Sequence, residues 1–277
     1  MATRRKFIAN TGALVASTIL LPSFVLRHAK EENMGVQLYT FRNEMANDPL
    51  GTLQQIADIG IKQIESARSN KGLYYGLTPT EMKEACTNLG MNLRSGHVHL
   101  DENWKQTLDE TAESGQEYVI CSSMPSRGQT IDNYKQVAET FNSAGEDCKK
   151  MNLKFGYHNH AYEFESDDGK VLYDILLKNT QSDLVHMEMD LGWVTVGGKN
   201  PIDYFNKYPG RFPLWHLKDM DLKKKESTEF GKGGLDISLM LKNKEKSGVK
   251  FIFIEQEEYE KSPIESMKHN MNYLSKL

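Results

Sequence analysis

The sequence predicts an α/β fold, a single (β/α)8 TIM barrel, and three observations lead there. From residue 35 onward, short β-rich runs alternate with longer helical patterns, the order that builds a parallel sheet with helices outside it. The alternation repeats eight times within roughly 245 residues, which matches a closed barrel better than an open doubly wound sheet. Ionisable side chains concentrate at the ends of the β-rich runs, where a barrel carries its chemistry.

Each element has a local reason. The strand candidates are residues 35–41, 61–67, 92–100, 117–123, 154–160, 185–191, 212–219 and 249–257. All are rich in Val, Ile, Tyr or Phe, and most follow a Gly, Asn or Pro. Between them, residues 50–59 place Leu53, Ile56 and Ala57 on one helical face and close at Gly60. A second helix follows Thr80 and ends at Gly90, and residues 104–114 form a third with a thin apolar face. Helical patterns at 132–151, 170–178, 201–208, 236–246 and 263–277 complete the set, several with Gly just past the end. The loop 229–234 lacks the spacing of a phosphate-binding loop and reads as a mobile rim loop.

Composition narrows the class. The chain has 277 residues, 39% hydrophobic and 26% charged, with three cysteines, which excludes a disordered, collagen-like or disulfide-stapled protein. Cys86, Cys121 and Cys148 are widely spaced and form no CxxC pair, so they read as small buried apolar residues. Residues 1–30 stand apart. Arg4, Arg5 and Lys6 precede an apolar run from Gly12 to Leu21 and then Pro22, the plan of an export signal of twin-arginine type. The run is too short for a stable membrane anchor. The expected organisation is thus a signal over 1–30 and a barrel over 31–277, with a periplasmic location. Five of the 34 Lys and Arg and none of the 38 Asp and Glu lie in the signal, so the remaining 247 residues carry a net charge of −9. That charge argues against nucleic acid as a partner.

The polar strand ends carry the functional reading. His97 and His99 end the third strand, His158 and His160 the fifth, Glu188 and Asp190 the sixth, His216 and Lys218 the seventh, and Glu255 and Glu257 the eighth. Alternation puts Leu214, His216 and Lys218 on one side, and likewise Phe251, Phe253 and Glu255, while Ile252 and Ile254 face the helices. Imidazoles with carboxylates form a donor set for a divalent first-row metal.

At these positions the chain resembles the xylose isomerase-like barrels, the sugar phosphate isomerases and epimerases with inosose dehydratase among them. The stretches that carry the resemblance are Gly156-Tyr157-His158-Asn159-His160, Met189-Asp190-Leu191-Gly192-Trp193, Trp215-His216-Leu217-Lys218-Asp219 and Ile254-Glu255-Gln256. The resemblance implies one divalent metal (Mn, Co, Zn or Mg) held at the ends of strands five to eight. Asp190, His216 and Glu255 match three ligand positions. His158 stands where the epimerases have Glu, as in the inosose dehydratase branch, and His160 on the same side remains an alternative ligand.

The expected activity is isomerisation or epimerisation of a sugar by proton abstraction next to a carbonyl, through an enediolate. His158, His160 or Glu255 would move the proton, Glu163 would supply a carboxylate from the loop, and Lys218 would hold a substrate oxygen. His97, His99 and Trp193 are expected to contact substrate, and Arg211 or Lys199 to serve an anionic group. Tyr39 and Phe41 offer aromatic faces or barrel packing. The runner-up is a metal-dependent lyase, dehydratase or hydratase on a keto-sugar or 3-keto-glycoside. A glycosidase using Asp190 and Glu255 and a non-catalytic periplasmic sugar-binding protein are the remaining alternatives. The expected partner is a small-molecule sugar, with self-association into a homo-oligomer left open.

Overall fold

Eight parallel strands close on themselves in sequence order. In the computed structural model, which describes residues 33–277, they are β1 (Met34–Gln37), β2 (Gln63–Ala67), β3 (Asn92–Val98), β4 (Tyr118–Cys121), β5 (Lys154–His158), β6 (Val185–Asp190), β7 (Leu214–Leu217) and β8 (Phe251–Ile254). β8 pairs with β1 through Met34 beside Ile252 and Val36 beside Ile254, which seals the barrel. The predicted export signal lies outside the described residues. Among the described residues, no helix is long and apolar enough to cross a membrane.

The helices are α1 (Pro49–Asp58), α2 (Pro79–Asn88), α3 (Trp104–Ser114), α4 (Ile131–Lys150), α5 (Leu172–Asn179), α6 (Pro201–Lys207), α7 (Ile237–Lys242) and α8 (Pro263–Leu274). Their starts follow sequence signals. Thr78 and Glu81 form a reciprocal capping box on α2, Thr130 caps α4, and Ser262 caps α8 with Pro263 at its first position. α3 forms despite its thin face, burying Leu108, Thr107 and Thr111, and it ends at Gly115 in the left-handed conformation.

Three segments depart from the sequence reading. The first strand stops at Gln37, because the Gln37 side chain accepts from Tyr39 N–H at 3.1 Å and turns the chain into a 3-10 segment, Leu38–Phe41. The helix expected over 236–246 breaks at Asn243 into α7 and a short turn, Lys244–Ser247. The rim loop at 229–234 is tied to the barrel by hydrogen bonds. The buried Asp219 carboxylate accepts from the backbone N–H groups of Gly231 (2.9 Å), Gly233 (3.1 Å) and Leu235 (3.0 Å).

Alternation sorts the strand residues as expected. Ile252, Ile254, Trp215 and Leu217 join the layer between sheet and helices. Inside the barrel, Tyr118, Ile120, Leu214 and Phe253 form a separate apolar cluster with Phe251 packed on it. At Gly156 a Cβ would stand 2.6 Å from Ile120 Cδ1, so a larger residue there would displace the end of that side chain. The three cysteines are free and buried.

Candidate functional site

Above the apolar plug, the same inward-facing rows turn polar. Going round from β5 to β8, these rows supply His158, Asp190, His216 and Glu255, the last from the residue just beyond β8. One donor atom of each lies within 4.8 Å of the others, and all four are buried. Asp190 divides its oxygens between two tasks. Oδ1 accepts from Trp193 N–H at 2.8 Å and caps the short helix Leu191–Val196. Oδ2 meets only ion-pair contacts, with Lys218 Nζ at 3.1 Å and His158 Nε2 at 3.5 Å. Gly192 allows that helix to approach β7, because a Cβ would fall 2.7 Å from the Lys218 carbonyl oxygen.

His216 is the hub of the site. Its Nδ1 stands 2.9 Å from Glu255 Oε2 and its Nε2 2.6 Å from Glu65 Oε1. Burial alone would lower its pKa, but the Glu188 and Glu255 charges and the hydrogen bonds raise it well above the usual imidazole range. Lys218 is buried too, with Nζ 2.8 Å from both Glu255 and Glu257. Burial opposes its charge, yet Asp190, Glu255 and Glu257 hold the ammonium well above its usual pKa. Glu255 moves the other way: burial would raise it, and Lys218 and His216 keep it well below the carboxylate range.

His158 has a different character. Both ring nitrogens are buried without a hydrogen-bond partner among the described residues. Burial, with His216 and His97 beside it, pushes its pKa well down, so the ring is neutral. A neutral imidazole with unsatisfied nitrogens, facing two carboxylates and a second imidazole, suits a divalent cation by its donor chemistry. His158, Asp190, His216 and Glu255 therefore fit such an ion.

A cavity of about 240 Å³ opens above this group, and His97, His99, His160, Trp193, Lys218 and Glu255 line it together with Tyr39, Arg68 and Glu257. His160 stacks on Tyr162, and burial followed by the Lys218 charge lowers its pKa to about 4. Lys218 Nζ lies 5.1 Å from the Trp193 ring centre. His160 joins none of the metal-capable groups among the described residues, so of the two fifth-strand histidines, His158 is the one that meets Asp190, His216 and Glu255.

Three expected site residues lie elsewhere: Lys199 lines a separate pocket with Asn200 and Tyr204, and the other two are Arg211 and Glu163. Arg211 precedes β7 and sits at the opposite end of the barrel, where its guanidinium bonds the Val185 carbonyl and, at 2.8 Å, Thr180 Oγ1. It ties strand and helix ends together and does not reach the cavity. Glu163 is fully buried behind the fifth strand. It accepts from Tyr157 Oη and from His160 N–H at 2.9 Å, and burial raises its pKa to about 7. It positions His160 from behind and does not line the cavity. Phe41 is likewise buried packing, while Tyr39 faces the cavity.

The sequence reading missed Glu65 and left Glu188 without a role. Glu65, fully buried on β2, receives Gln37 Nε2 at 2.8 Å and the Ser95 hydroxyl. His97 Nε2 is 2.8 Å from Glu188 Oε2. The signal was weak: Gln37, Glu65 and Ser95 are polar residues at inward positions, but β2 and β3 carry Gln63, Ser66, Asn92 and Arg94 as well.

No protein-family model matches the chain. It is similar to an inosose dehydratase of Geobacillus kaustophilus, 26% identical over 106 residues. That match spans 36% of this chain and only 34% of the relative, about a third of its length. Among solved structures, a sugar phosphate isomerase/epimerase from Parabacteroides distasonis superposes with a TM-score of 0.79 at 27% identity, over 88% of this chain and 98% of that one. A xylose isomerase domain protein from Alicyclobacillus acidocaldarius shares the fold alone, with a TM-score of 0.69 at 11% identity over 88% and 97% of the two chains. The chain is thus similar to inosose dehydratases in part of its sequence and to sugar phosphate isomerase/epimerases in its structure, and it shares the fold of the xylose isomerase-like TIM barrels.

Proposed function

We propose that the protein is a divalent-metal-dependent sugar isomerase or epimerase that removes a proton from the carbon next to a carbonyl. The observation that carries this reading is the buried group of His158, Asp190, His216 and Glu255 beneath an open polar cavity. When bound there, a divalent cation supplies Lewis-acid polarisation of a substrate oxygen. The rest falls to the chain. His160, neutral at neutral pH and facing the cavity, accepts the proton from carbon and returns it. Lys218 keeps its charge and faces the negative charge that develops on the enediolate oxygen. Trp193 gives the sugar ring an apolar face. Glu163, through the His160 backbone, holds the base in register.

The similarity to inosose dehydratases supports a second reading, in which the same enediolate expels a β-oxygen and the enzyme is a lyase. Both readings take an unphosphorylated small sugar, because Arg211 bonds backbone at the far end of the barrel. The Arg4-Arg5 segment supports export of the folded protein to the periplasm, which N-terminal sequencing of the mature protein tests. For the chemistry, the test is elemental analysis of the purified protein, followed by NMR of aldoses, ketoses and 3-keto-glycosides in deuterated buffer. The isomerase reading expects metal-dependent deuterium at the carbon next to the carbonyl. An unsaturated product selects the lyase, and metal-free protein that binds sugar without exchange sinks both.

A further inference from the structure

Below the group just described lies a second convergence of donors that the proposed reaction does not use. Glu65 Oε1, His97 Nε2, Glu188 Oε2 and His216 Nε2 form a closed ring of alternating oxygen and nitrogen. Its four sides measure 3.4 Å from Glu65 to His97, 2.8 Å from His97 to Glu188, 3.3 Å from Glu188 to His216 and 2.6 Å from His216 to Glu65. Tetrahedral ligands about 2.0–2.1 Å from a zinc-like ion stand roughly 3.3 Å apart, a spacing that the four sides bracket, and all four atoms lie within 4.8 Å of one another.

We infer that Glu65, His97, Glu188 and His216 form a second, inner site for a divalent cation of zinc type, sharing His216 with the outer group. His216 would bridge the two ions as an imidazolate after releasing its ring protons to solvent. Four further observations support it. Glu188 Oε1 is fully buried and has no hydrogen-bond partner among the described residues, so the carboxyl whose Oε2 belongs to the ring keeps its other oxygen unsatisfied by the protein. Glu65 is oriented from behind by Gln37 and Ser95, the kind of outer support that metal-ligating carboxylates receive. His216 directs one nitrogen to each group, Nδ1 toward Glu255 and Nε2 toward Glu65. His97 both belongs to the ring and lines the cavity, which gives an ion a way in.

The inference rests on the metal reading of the outer group, with which it shares His216, but not on the sugar reaction, and its readout is stoichiometry. Full-length protein stripped with chelator and titrated with Zn²⁺ by calorimetry should take up two ions per chain. Glu65→Gln and His97→Gln should each leave one, and Asp190→Asn should lose the other. Ser95→Ala, which removes only a supporting hydroxyl, should weaken the inner site about 10–100-fold. Crystals of wild-type protein soaked in Zn²⁺ settle the location without any variant, with an anomalous peak expected among the four ring atoms. One ion per chain at saturation, or no anomalous peak below His216, would overturn the inner site. If the sugar assays fail and two ions still bind, only the proposed reaction is lost.

Discussion

The lower and upper halves of the barrel interior are built from the same strands in the same alternation, yet they do opposite things. Below, Tyr118, Ile120, Leu214 and Phe253 fill the bore with apolar side chains. Above, His97, His158, Glu188, Asp190, His216, Lys218 and Glu255 are equally buried but ionisable. Each ion removed from water costs several kcal/mol unless it is paired and hydrogen-bonded. The upper layer meets that cost with a dense network of opposite charges, while below it Arg94 and Lys154 lie over the Phe251 and Tyr118 rings. The contrast teaches that stability and chemistry are separated by height along the bore: two residues along β7 lead from Leu214 to His216, and two along β8 from Phe253 to Glu255.

Substitutions at the two heights should therefore behave differently. The largest effect is expected at His216. His216→Ala leaves Glu65, Glu188 and Glu255 without their shared imidazole, so stability should fall by about 3–5 kcal/mol in chemical denaturation. Metal affinity should fall more than about 100-fold by calorimetry, beyond the scale of losing an outer partner. In the lower layer, Phe253→Ala should cost a similar 3–5 kcal/mol, through the cavity it leaves, while metal content per chain stays at the wild-type value. Loss of metal in that variant would break the separation of the two layers.

Lys218→Met should lower kcat by about 10²–10³, the scale of removing one preorganised donor from a developing charge, in a turnover assay on whichever sugar the screen identifies. Next comes Glu163. Its carboxyl is protonated in folded and unfolded chains below about pH 4.5. Between there and about 7 only the unfolded chain ionises, so stability falls as pH rises through that window and levels off above it. The full effect is about 3 kcal/mol. Denaturation of wild type and Glu163→Gln across pH 4 to 8 should show this slope in the first and its absence in the second. Arg211→Gln is the smallest expected effect, roughly 1 kcal/mol of stability from lost hydrogen bonds, with kcat/KM unchanged.

Much of this was legible from residues alone, and the rest was not for identifiable reasons. The eight strands and helices follow from local periodicity, capping residues and glycine stops. Side-chain parity on β7 and β8 follows from the two-residue repeat, and the structure keeps it. His158, Asp190, His216 and Glu255 were readable because they end consecutive strands. Glu65 was not, since β2 reads as an ordinary strand and its carboxylate gains meaning only from His216, 151 residues away. Glu163 was mistaken for a cavity residue because a loop position does not reveal which way the loop folds back.

By itself, then, the sequence determined the barrel, its strand parity and the strand ends at which the ionisable residues collect, because helix and strand preferences act over a few residues. Only the tertiary structure decided that Glu65 and Glu188 meet His97 and His216, that Lys218 is caged between carboxylates, and that Arg211 lies at the opposite end. Those outcomes depend on closure between β8 and β1 and on the stagger of neighbouring strands, which set the height of each inward residue in the bore. Height is a property of the whole closed sheet, and no local stretch encodes it.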